Sequence, residues 1–100
     1  MATTTKALVR AAAATSTATL YTVPASTTTV VSNIVVTNSA SSAATFTLTL
    51  DGVDIFKTTA IAANSTAMFD LKQVMATTKI IAGFASAVTV NFHISGVEIV

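Results

Sequence analysis

The sequence predicts an all-β protein: a single β-sandwich or jelly-roll domain of about seven or eight antiparallel strands with an extended N-terminal arm. Apolar residues recur with a period of two along most of the chain, the spacing that puts one side of a half-buried strand toward a core. Turn signals interrupt these runs at roughly ten-residue intervals, as in sandwiches and jelly rolls. No apolar stripe repeats at helical spacing, and no longer sequence period recurs that would mark a solenoid.

Each element can be justified in order. Residues 1–18 are rich in Thr and Ala. They read as an extended arm with a strand around Ala7–Arg10, because Ala7–Ala14 has helix propensity but no apolar face to bury. Thr19–Val23 reads as a strand stopped by Pro24, which has no N–H to give a central ladder. Thr27–Thr37 is a long β-branched run with apolar residues on both faces, Val30, Ile34 and Val36 against Val31 and Val35, and is expected to be buried on both sides. Asn38–Ser42 is a loop by composition. Thr45–Leu50 alternates cleanly, with Phe46, Leu48 and Leu50 inward and the threonines outward. Asp51-Gly52 is a hairpin signal, since a type I′ turn needs positive φ at both central residues, and Val53–Thr58 is the return strand. After a turn at Ala62–Ser65, Thr66–Leu71 is a strand with Ala67, Phe69 and Leu71 on one face. Lys72–Thr78 reads as a loop or one helical turn, and Lys79–Ala82 as a short strand. Val88–Ser95 alternates with Val88, Val90, Phe92 and Ile94 inward, and Gly96 allows a bend or bulge before Val97–Val100.

The 100 residues suit one domain, with no composition break to mark a linker. The boundaries are 1–18 for the arm and 19–100 for the sandwich. Hydrophobic residues make up 52% of the chain, enough for a core without disulfides and too many for disorder. Charged residues make up only 9%, against about 25% in an ordinary soluble domain. With 20 Thr, 19 Ala and 9 Ser, nearly half of the side chains are small and uncharged. Such a surface lacks the repulsion that keeps molecules apart, so association is expected to be part of its purpose.

A net charge of +1, dispersed along the chain, gives no nucleic-acid footprint, which needs clustered Lys and Arg. Ala11–Ala14 is too short and too quickly followed by Thr15-Ser16-Thr17 to be the apolar core of a signal peptide. No run approaches the length of a membrane-spanning helix.

Catalysis requires converging ionisable groups, and few are available. His93 is the only imidazole and by alternation points away from the core. There is no Cys, and the four carboxylates are scattered, which argues against a metal centre. Asp51 and Asp54 flank the hairpin turn, where Asp bonds local backbone; Asp70 is close enough to pair with Lys72. No serine lies in a nucleophile elbow, and Gly52, Gly83 and Gly96 are too isolated for a phosphate loop. No cofactor, metal or catalytic residue is therefore expected.

Four segments together carry a family resemblance: TLYTVPA at 19–25, TTTVVSNIVVTN at 27–38, TFTLTLDG at 45–52 and VNFHISGVEIV at 90–100. In this order they resemble small structural proteins of tailed-bacteriophage virions, over roughly residues 18–100. Where such proteins often have Gly after the Pro-Ala, this chain has Ser26. The resemblance implies a non-enzymatic virion protein, foremost a capsid decoration (cement) subunit. Its implied partners are the major capsid protein or other virion proteins and further copies of itself, with neither nucleic acid nor membrane. A tail, baseplate or fibre module, with receptor or carbohydrate binding, is the alternative. The arm is expected to grip a neighbouring subunit, partly as an added strand, with Lys6, Leu8 and Arg10 as its contacts.

Overall fold

A computed structural model describes residues 2–100 as eight strands in two four-stranded antiparallel sheets. The strands are β1 (Thr3–Ala12), β2 (Ala18–Thr22), β3 (Thr28–Asn38), β4 (Ala44–Leu50), β5 (Val53–Ile61), β6 (Ser65–Met75), β7 (Ile80–Ala85) and β8 (Val90–Ile99). One sheet has the order β1-β8-β3-β6 and the other β2-β7-β4-β5. Every connection except the β4–β5 hairpin crosses between sheets, which is the strand order of an eight-stranded jelly roll. The all-β sandwich read from the period-two pattern is the fold observed.

The core lies between the sheets. Ile34, Val36, Phe92 and Ile94 from one sheet meet Phe46, Leu48 and Ile81 from the other, all essentially inaccessible to solvent. Phe46 packs edge-on against Phe92 with ring centroids 6.2 Å apart, and Phe56 continues the aromatic cluster to Phe69 at 4.5 Å. These tilted geometries suit the ring quadrupoles.

Three boundaries differ from the sequence reading. The segment read as an arm is part of the sandwich: β1 pairs with β8 of the same chain from Thr3↔Ile99 to Ala12↔Asn91. Ala2 and Val100 exchange backbone hydrogen bonds of 3.1 and 2.8 Å. Met1, the first residue of that segment, lies outside the described residues. The arm reading failed because β1 bulges at Leu8, between Ala7 and Val9, so that Leu8 and Val9 are both buried and the alternation is lost. β6 continues through Lys72–Met75, where a loop or helical turn was expected. Val88 is not inward; it sits in the turn before β8 and is 65% exposed.

β3 is likewise not buried on both sides. A register shift between Val31 and Asn33 turns Val31, Ile34 and Val36 all toward the core, leaving Val30 and Val35 half-buried on the outer face. Bulges in β1 and β3 thus fall on either side of Ser95 of β8, opposite Ser95–Ile94 and Gly96–Ser95 respectively. A Cβ on Gly96 would lie 2.3 Å from the Val30 carbonyl oxygen and 2.9 Å from Leu8 Cδ1, so glycine is what lets the strands close here.

The Asp51-Gly52 hairpin has positive φ at both residues, 56° and 75°, as a type I′ turn requires. Ser26, which stands where the resembling proteins often have Gly, also has positive φ, 57°; that is the backbone region glycine occupies most readily.

Candidate interaction surfaces

The three residues proposed as arm contacts separate in the structure. Leu8 is core, 8% exposed, and is removed from the candidate contacts: the bulge turns its side chain inward. Lys6 lies beside Glu98 with Nζ–Oε2 at 3.4 Å. Arg10 is exposed on the outer face of the first sheet, in register with His93 across the ladder. Lys6 and Arg10 do line one shallow depression, together with Thr5, Ser32 and Ser95, above the row of bulges.

Glu98 connects to a network that the sequence did not suggest. The Tyr21 hydroxyl on β2 donates to Glu98 Oε2 at 2.5 Å and lies 2.9 Å from Thr29 Oγ1 on β3. Lys6 completes the group from β1. Three strands of one sheet, β1, β3 and β8, and β2 of the other are thereby tied at one end of the sandwich. Burial, and next the Glu98 hydrogen bond, push the Tyr21 phenol up to about 12.

At the other end, Asn38 is 2% exposed and holds three loops. Its Nδ2 donates to the carbonyls of Ser42 (2.9 Å) and Ala62 (3.3 Å). Its Oδ1 accepts from the Ala40 amide (3.1 Å) and the Thr89 hydroxyl (3.2 Å). All four hydrogen-bonding positions of a buried amide are thus used.

The remaining titratable groups are spread out. Asp51 pairs with Lys79 at 3.6 Å, an exposed contact of small energetic weight. Asp70 and Lys72, expected to pair, flank Leu71 on the outer edge of β6. His93 is half-buried on the outer face between Arg10 and Val35. Among the described residues no three His, Cys, Asp or Glu side chains gather as a metal site.

The outer faces are mainly small and neutral. On β4, Thr45 and Thr49 are half-buried, while Thr47 is covered and its hydroxyl accepts from the Thr58 amide at 3.0 Å. Large apolar side chains stand out at Val53, Met68, Val74, Val88 and Val100, between 62% and 75% exposed. Among the described residues no helix is long and apolar enough to cross a membrane. No family model, curated protein or solved structure matches the chain.

Proposed function

We propose that this chain is a non-enzymatic structural protein of a tailed-phage virion, most specifically a decoration subunit that stabilises a capsid by packing on its surface. The observation that carries this reading is the sparsely charged outside of the sandwich. Four of its nine charges are engaged in pairs, Lys6–Glu98 and Lys79–Asp51, and threonines and exposed valines cover much of the rest. A neutral surface of this kind suits a protein held among many neighbours, where weak contacts repeated over a lattice sum to firm attachment. The resemblance of the 19–25, 27–38, 45–52 and 90–100 segments to virion proteins is what supports this assembly over others, since a jelly roll alone serves many functions. The partners in this reading are the major capsid protein and further copies of the chain.

Imaging of intact particles with a label on this chain tests the reading. Density on the head lattice supports a decoration subunit. Density on the tail or baseplate moves the chain to the alternative structural role, and particles without it overturn the proposal.

A further inference from the structure

Each sheet ends in two strands with one unpaired side: β1 and β6 in one, β2 and β5 in the other. Unpaired N–H and C=O groups are a template for another strand, and proteins blunt such edges with short strands, proline, charge or kinks. Three of the four edges here are blunted. β2 is five residues long and leads to Pro24. β5 shifts register twice against β4 and holds Thr58 at φ 46°. β1 carries two cations, Lys6 and Arg10, and no anion.

β6 is different. It has eleven residues, none of them Gly or Pro. Its outer row reads Thr66, Met68, Asp70, Lys72, Val74, in which Met68 is 75% and Val74 72% exposed. One apolar side chain thus stands exposed toward either end of the edge, with a carboxylate and an ammonium group between them.

We propose that β6 pairs antiparallel with β6 of a second copy of this chain, about a two-fold axis through Leu71. Residues opposite one another in an antiparallel pair share a face, so a two-fold axis must pass through a residue, not between two. With the axis at Leu71, Asp70 faces the partner's Lys72 and Met68 faces the partner's Val74, each twice by symmetry. Opposite charges meet, and the two most exposed apolar side chains of the edge cover each other. Moving the axis one residue, to Asp70 or to Lys72, sets two carboxylates or two ammonium groups directly opposite. One register is therefore favoured over both neighbours.

Asn33 faces Asp70 and Val31 faces Gln73, so β6 has one residue more than β3 in this interval. The irregularity lies at Leu71–Lys72, on the axis itself, and two-fold symmetry bends both copies alike. On the inner side, half-buried Leu71 meets its own mate at the flank of the core. The result is a continuous eight-stranded sheet across the dimer, within the usual range of sheet widths.

This pairing stands apart from the virion reading, because the dimer is tested in solution with the purified full chain. Sedimentation equilibrium at about 100 µM, where a modest interface is populated, is expected to show a dimer. Asp70→Lys alone and Lys72→Asp alone, both at exposed positions that leave the fold intact, each weaken it by about ten-fold or more. The double exchange Asp70→Lys with Lys72→Asp restores the wild-type affinity, since the pairs are re-formed with their signs swapped. Slowed amide exchange confined to β6 in the dimer accompanies this result. A monomer at that concentration, a dimer indifferent to the single reversals, or a double variant no tighter than the singles would each overturn the proposal.

Discussion

The Tyr21 hydroxyl on β2 donates a hydrogen bond to the Glu98 carboxylate on β8, 77 residues away, and so ties one sheet to the other at one end of the sandwich. Thr29 and Lys6 complete the group. A sandwich is otherwise joined by non-directional packing of its inner faces, so this polar contact helps fix how the sheets sit on one another.

Tyr21→Phe removes one hydroxyl and keeps the ring. A hydrogen bond to a charged acceptor contributes about 1.5–3 kcal/mol, and a loss of about 2 kcal/mol in denaturant-induced unfolding is expected at neutral pH. The pH dependence gives a second readout. The phenol titrates near 10 in the unfolded chain and is pushed up to about 12 in the fold, first by burial and then by Glu98. Between these values the unfolded state has released a proton that the folded state keeps. The Tyr21 contribution is therefore complete below pH 10 and is lost as pH rises toward and through 12, by an amount on the order of 2–3 kcal/mol. The stability gap between wild type and Tyr21→Phe should narrow over that interval; a gap that stays constant refutes the assignment.

Asn38→Ala leaves the Ala40 amide and the Ser42 and Ala62 carbonyls without their side-chain partner. Unmet polar groups at a buried site cost about 1–3 kcal/mol each before water enters. Thermal and chemical unfolding should show a loss of at least about 2 kcal/mol, with the fastest-exchanging amides of the variant in the 39–43 and 62–64 loops. Wild-type stability in Asn38→Ala would show that the loops are held by other contacts.

The burial of Leu8 separates it from exposed Lys6 and Arg10 on β1. Leu8→Ala is expected to destabilise by about 2–3 kcal/mol, as a core truncation does, while Arg10→Ala changes stability by less than about 0.5 kcal/mol. Equal, small effects would return β1 to the role of a loosely held arm.

Gly96→Ala places a methyl group against the Val30 carbonyl, which is backbone and cannot turn aside. The variant should lose about 3 kcal/mol or more, or fail to fold, because overpacking here must move β3 relative to β8. Retention of the wild-type melting temperature would mean the strands sit farther apart than described.

Much of the architecture was legible in the sequence, because it rests on local signals. Phe46, Leu48 and Leu50 alternate with threonine, and the Asp51-Gly52 pair admits only a narrow set of turns. What was hidden depends on register. A bulge inverts the two-residue period, so Leu8 and Val9 looked like an arm without a face, and Val31 and Ile34 looked like residues of opposite sides. The interaction network was hidden for another reason: Tyr21, Thr29, Lys6 and Glu98 come from four strands, and nothing in their spacing joins them. Edge strands are similarly silent until the sheet order is known, since Asp70 and Lys72 acquire meaning only once β6 is seen to end its sheet.

The role proposed for this chain is that of a repeated structural subunit of a virion. Quantitative mass spectrometry of purified, intact particles measures it most directly. Copies on the order of hundreds per particle, in fixed ratio to the major capsid protein, are predicted for a subunit that follows a symmetric lattice. A chain absent from the particles, or present only at the trace level of a contaminant, contradicts it.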